Sequence, residues 1–131
     1  MIQVRRRLRQ RRFRAELIHA YDTHCAICSL RHSVLLDAAP VIADGEKLGE
    51  ALVSNGLALC KLHHAAFDSQ LPGITRDCEI RVHEDLLDER DGPMLEHGLR
   101  AFHKQVIRVP ANLLDRPDPD RLALRFEQFA A

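Results

Sequence analysis

Asn55-Gly56-Leu57-Ala58-Leu59-Cys60-Lys61-Leu62-His63-His64-Ala65-Ala66-Phe67-Asp68 is the stretch on which the reading of the chain turns. Asn55-Gly56 is a turn signal. Leu57 to Leu59 is a short apolar run, fit for a strand that ends at Cys60. A helical pattern follows at once, from about Lys61 to Ser69, and Pro72-Gly73 stops it. His63 and His64 lie in the first turn of that helix. Cys60, His63 and His64 therefore sit within about one and a half turns of chain.

Working outward, the nearest matching stretch is Cys25-Ala26-Ile27-Cys28. Structural zinc takes four tetrahedral soft or borderline ligands and usually draws them from two close pairs. Cys25 and Cys28 form one pair, and Cys60 with His63 forms another at the same spacing. Successive residues on a helix point about 100° apart, so one histidine serves the zinc and its neighbour faces elsewhere. His63 is placed on the zinc, with Cys60-x-x-x-His64 as the alternative. No βαβ pattern surrounds Cys25 and Cys28, which weakens a redox reading of that pair. Cys78 has no nearby partner and reads as an ordinary buried or half-exposed cysteine.

The bulk properties bound the rest. At 131 residues the chain makes one domain, small enough to gain from a metal staple. No run of about 18 apolar residues exists, and no hydrophobic stretch follows the arginine-rich start, so neither a membrane span nor a secretory signal is expected. Four cysteines without such a signal favour zinc in a reducing cytoplasm over disulfides. Net charge is zero, but its distribution is uneven. Arg5, Arg6, Arg7, Arg9, Arg11, Arg12 and Arg14 crowd the start without an acid, whereas Glu84 to Asp91 is mostly acidic. Such a basic arm suits contact with a nucleic-acid backbone, and a solvated helix face is the other reading.

Secondary structure follows from periodicity. Arg5 to Tyr21 reads as a helix with Leu8, Phe13, Leu17, Ile18 and Tyr21 on one face. Ser33 to Leu36 reads as a strand and 37–56 as loop. Ile80 to His83 and Val106 to Val109 read as strands. Met94 to His103 carries a helical stripe behind Pro93. A C-terminal helix is capped by Asp118, starts at Pro119, and repeats Leu122, Phe126 and Phe129. Strand runs mixed with helices, around a zinc knuckle, give an α+β fold with flanking helices at both ends.

Taken together, Cys25-x-x-Cys28, Leu-Leu-Asp-Ala-Ala (35–39), Asn-Gly-Leu-Ala-Leu-Cys (55–60) and His-His-Ala-Ala-Phe-Asp (63–68) resemble the His-Asn-His (HNH) endonucleases. The likeness is to the restriction-type domains at the C-termini of modification-dependent bacterial nucleases. It runs from about Phe13 to the end, leaving 1–12 as an arginine-rich arm and 13–131 as the nuclease-type domain. It implies a ββα-metal core, one catalytic divalent cation (Mg²⁺ or Mn²⁺), a separate structural zinc, and duplex DNA as partner, with an additional DNA-reading domain supplying any base preference. Asn55 matches the middle asparagine, which fixes the loop carrying the general base. His64 matches the last histidine, a ligand of the catalytic cation. The first histidine, the base itself, is replaced by Pro40. Proline has no titratable group and no amide hydrogen, so cleavage is expected to be impaired, and a catalytically inactive DNA-binding or protein-interaction module is the rival expectation. Arg5, Arg6, Arg7 and Arg9 are the expected DNA contacts.

Overall fold

The chain opens with helix α1 (Ile2–Ala20). Its second half carries the apolar stripe: Phe13, Leu17 and Ile18 are buried, with Tyr21 just beyond the helix end. Leu8 is a correction, since it is 57% exposed. The stripe buries only where a partner exists, and the first three turns of α1 project past the sheet that covers the rest. The computed structural model describes all 131 residues, and it is α+β in class.

After the turn at Asp22-Thr23 comes the knuckle, closed by Cys25 N to the Leu30 carbonyl (3.0 Å) and Ser29 N to the Cys25 carbonyl (2.9 Å). A single 3₁₀ turn over Ser33–Leu35 then leads into β1 (Leu36–Pro40). The strand thus lies later than its apolar residues suggest. Asp-Ala-Ala-Pro has weak strand propensity, and pairing decides the matter. β1 runs antiparallel to β2 (Gly56–Cys60), with Leu36 opposite Cys60, Asp37 opposite Leu59 and Pro40 opposite Gly56. Proline is tolerated at the end of such a two-stranded pair, where no further ladder bond is required of its nitrogen.

β2 is buried along its whole length because α1 covers it. Gly56 is extended (φ −148°) and no turn residue. Its role is close approach: a Cβ there would stand 2.8 Å from both Leu17 and Phe13. Tyr21 Oη donates to the Gly56 carbonyl at 3.2 Å, which pins the helix end to the strand. Burial pushes the Tyr21 phenol well above its usual range.

Helix α2 (Lys61–Asp68) leaves β2 directly. β3 (Pro72–Ile74) and β4 (Ile80–Val82) form a second hairpin, with Gly73 opposite Arg81. α2 ends at Asp68, four residues before Pro72: Gln70 turns left-handed (φ 58°) and Leu71 N bonds the Ala66 carbonyl (3.0 Å), so Pro72-Gly73 starts a strand and does not itself stop the helix. Two short helices follow, α3 (Glu84–Asp88) and α4 (Pro93–Gly98). The acidic run forms α3 because His83 Nδ1 caps it by accepting from Asp85 N (3.1 Å) and its acids lie in the first turn. The stripe from Met94 ends early, at Gly98, and resumes only as a 3₁₀ turn over Arg100–Phe102. The Gly98 carbonyl is diverted to His63.

Val106 to Val109 forms one bridge, Val106 with Glu79, and no strand. Its amides are divided between two partners: Ile107 N bonds the Cys78 carbonyl (2.9 Å) and Arg108 N the Ala26 carbonyl (2.8 Å). Helix α5 (Pro119–Ala130) starts with Pro119 in its first turn behind the Asp118 cap. Phe126 and Phe129 lie where a Gly73 side chain would go, so α5 closes over β3. No helix is long and apolar enough to cross a membrane.

Candidate metal centre and the adjoining cleft

Three elements meet at the knuckle. The 25–28 turn supplies Cys25 and Cys28, the end of β2 supplies Cys60, and the first turn of α2 supplies His63. Their ligand atoms all lie within 4.8 Å of one another. Cys25 Sγ is 3.6 Å and Cys60 Sγ 3.2 Å from His63 Nδ1, and the Cys28 and Cys60 sulfurs are 3.9 Å apart. A tetrahedral zinc with ordinary bond lengths separates its sulfurs by about 3.8 Å and sulfur from nitrogen by about 3.6 Å. The four residues can hold such an ion, and the donor set of three thiols and an imidazole suits zinc.

The surroundings fit the same purpose. His63 Nε2 donates to the Gly98 carbonyl at 2.7 Å, which turns Nδ1 toward the sulfurs as the nitrogen that a metal would take. Phe102 meets the ring edge-on at 5.5 Å. Hydrogen bonds from Cys28 and Cys60 hold the Cys25 thiol far below its usual range. Burial opposes charge on His63, yet its bonds to Cys25 and Cys60 outweigh burial and push it up to about 10. The cluster thus stabilises a shared thiolate, the form that takes a metal. His63 rather than His64 joins the cluster.

His64 turns the other way, toward the hairpin. Its Nδ1 is 2.8 Å from Asp37 Oδ2, and its Nε2 stands 3.2 Å from Asp68 Oδ2. Asp37 also pairs with Lys61. Burial raises the Asp37 carboxyl, but Lys61 and His64 prevail and hold it below the usual carboxylate range. Asp37 and His64 keep about a quarter of their side-chain surface exposed, 25% and 26%. They open into a cleft of about 770 Å³. Arg6, Arg9 and Arg14 of α1 line it on one side, and Pro40, Asp44, Glu46 and Glu50 on another.

Asn55 is fully buried and ties the loop that leaves β1. Its Oδ1 accepts from Ile42 N (2.9 Å), and its Nδ2 donates to the carbonyls of Ile42 (3.1 Å) and Glu50 (2.9 Å). Its own carbonyl accepts from Val41 N at 2.9 Å. The hairpin pairing is thereby continued past Pro40.

Of the four arginines expected to act together, Arg6 and Arg9 line the cleft and Arg5 and Arg7 do not. Arg6 is in an ion pair with Asp44 at 3.4 Å. Arg14, outside the expected set, lines the cleft and bonds the Ser33 (3.0 Å) and Leu36 (3.2 Å) carbonyls. Asp37, Lys61 and Asp68 were not singled out as site residues by spacing. Asp68 faces His64 and, at 3.6 Å, Arg125. The i to i+4 relation of His64 to Asp68 was the one available signal; Asp37 and Arg125 reach the site only through strand pairing and helix docking. His32 is exposed and outside the cleft, and Cys78 is a free, half-buried thiol.

Fold and site together define an α+β domain with a Cys₃His centre able to hold zinc, beside a cleft lined by both arginines and carboxylates. No protein-family model matches the chain, and no curated protein does. Among solved structures it is similar to a modification dependent TagI restriction endonuclease, with a TM-score of 0.58 and 18% identity over 89% of this chain. The match spans 37% of that protein's length. At this identity the likeness is one of fold.

Proposed function

We propose that the chain is a ββα-metal nuclease module of the HNH type, with β1, β2 and α2 as its core, acting on duplex DNA in a reducing cytoplasm. Residues 13–131 are the nuclease-type domain and 1–12 its arginine-rich arm, a division supported by burial that begins at Phe13. One observation carries this reading: Asp37 and His64 converge at 2.8 Å at a cleft lined by Arg6, Arg9 and Arg14 as well as by Asp44, Glu46 and Glu50, on a hairpin whose loop Asn55 ties. A carboxylate and an imidazole, both partly exposed, suit Mg²⁺ or Mn²⁺, ions that keep water and substrate phosphate among their ligands. Such a cation, when bound, polarises a phosphoryl oxygen and acidifies its water.

The protein's own groups divide the remaining work. Arg6, Arg9 and Arg14 face the cleft and would meet phosphate there, against the opposing charge of Asp44, Glu46 and Glu50. Lys61 neutralises the second oxygen of Asp37. Asn55 fixes the strand exit where a base would stand. Pro40 occupies that place and accepts no proton, which removes about 10²–10⁴-fold in rate. Pro40 favours a second reading, a module that binds DNA and no longer cuts it. A separate DNA-reading domain or partner would supply any base preference.

Plasmid nicking in Mg²⁺ or Mn²⁺ tests this reading. Pro40→His should raise cleavage by about 10²–10⁴-fold, increasing with pH through the ordinary histidine range near about 6.5. The gain should disappear when His64→Ala is added. Pro40 still pairs with Gly56 in register, which supports the single substitution as sufficient. Vigorous cleavage by the unmodified protein would mean that the base lies elsewhere. A folded, metal-binding Pro40→His protein without gain would leave only the DNA-binding module.

A further inference from the structure

Arg125, midway along α5, is buried more deeply than its chemistry favours. Its side chain is 12% exposed, its guanidinium lies 4.2 Å over the Phe67 ring, and its Nε is buried without a hydrogen-bond partner. Nη1 donates to the Val41 carbonyl (3.2 Å) and Nη2 to the Phe67 carbonyl (2.9 Å), and Nη2 stands 3.6 Å from Asp68 Oδ1. Burying a guanidinium costs several kcal/mol, and a well-packed apolar residue commonly does as well or better for stability. An unmatched donor adds to that cost. Docking of α5 alone therefore does not account for an arginine at this position.

Its contacts do. Val41 directly follows Pro40, and Phe67-Asp68 lies one turn after His64 on α2. Without a cation, His64 Nδ1 donates to Asp37 Oδ2 at 2.8 Å; with a cation in place of that proton, Nε2 would keep its own, and Asp68 Oδ2 stands 3.2 Å from it. A carboxylate placed against the far nitrogen of a metal-binding histidine orients the ring and strengthens it as a ligand. We propose that Arg125 is a positioning residue: it holds Asp68 against His64 and the Val41 carbonyl behind the hairpin, and so sets the Asp37–His64 pair for a divalent cation. The inference rests on reading that pair as the cation site.

Mn²⁺ binding to the zinc-loaded protein, followed by electron paramagnetic resonance, tests it. The unmodified protein should bind Mn²⁺, and His64→Ala should abolish that binding. Arg125→Met keeps an unbranched stem over Phe67 and should weaken Mn²⁺ binding about 10-fold, the lower end for outer-shell partners. Zinc content and the melting temperature should not fall. Arg125→Lys should lie between the two. Mn²⁺ binding unchanged in Arg125→Met overturns the brace and leaves the cation site standing. Absence of any His64-dependent Mn²⁺ binding overturns the cation site and the brace with it. If Arg125→Met unfolds, Asp68→Asn decides: about 10-fold weaker Mn²⁺ binding supports the brace, and unchanged binding overturns it.

Discussion

His63 and His64 are adjacent in the chain and serve opposite kinds of environment. His63 is 3% exposed, faces three cysteine sulfurs, and has its second nitrogen bonded to a carbonyl. His64 is half-buried, faces two carboxylates, and opens to a cleft lined by charged groups of both signs. A closed set of four soft ligands leaves an ion no free position, so it can only staple. A half-open oxygen and nitrogen pair leaves room for water and phosphate, as the proposed cation site requires. The roughly 100° step of the helix separates the two without any bend in α2.

The sharpest way to break this contrast is to open the closed side. Cys60→Ser should release zinc and unfold much of the domain, because apparent zinc-binding energies of about 10–16 kcal/mol act as folding energy in such sites. Elemental analysis and thermal melting read the result, and a zinc-free protein that melts like the parent would remove the staple from the account. On the open side the largest stability effect should come from Asn55→Ala. It leaves Ile42 and Glu50 groups unpaired inside the loop and should cost about 3 kcal/mol in denaturant unfolding. Zinc content should be unaffected, since the two sites have separate supports.

Smaller effects separate the arginines. Arg6→Glu with Arg9→Glu should flatten the salt dependence of DNA binding by about two logarithmic units per decade of salt, more than Arg5→Glu with Arg7→Glu. Equal slopes from the two pairs would return the contact to the whole arm. The smallest effect belongs to Asp37. Its carboxyl lies below the usual range because of Lys61 and His64, so its pairing stabilises the fold above about pH 3.9 and is lost below it. Asp37→Asn should therefore cost less than about 1 kcal/mol near neutrality, discounted for the exposed Lys61, and the difference should close in acid. A difference that persists at about pH 2 would point to packing rather than charge.

By itself, the sequence determined the features whose partners are neighbours in the chain. The spacing of Cys25 with Cys28 and of Cys60 with His63 is local, and so are the Asp118 cap and the Pro119 start. Short-range geometry is fixed by backbone steps of known size, so residue spacing suffices. The tertiary structure decided everything that depends on register and docking. Leu36 to Pro40 became a strand only because β2 offers it a ladder, and that register turned Asp37 toward His64. Leu8 stayed exposed because only the charged loop around Asp44 reaches the first turns of α1, and it brings no apolar cover to that face. Gly56 owes its place to the approach of Phe13 and Leu17, not to a turn. Arg125 enters the site from 57 residues beyond Asp68 because α5 docks across β3 and α2. Side chains alternate along a strand, so a shift of one residue would have sent Asp37 to the opposite face, and no local pattern encodes which register the packed helices select.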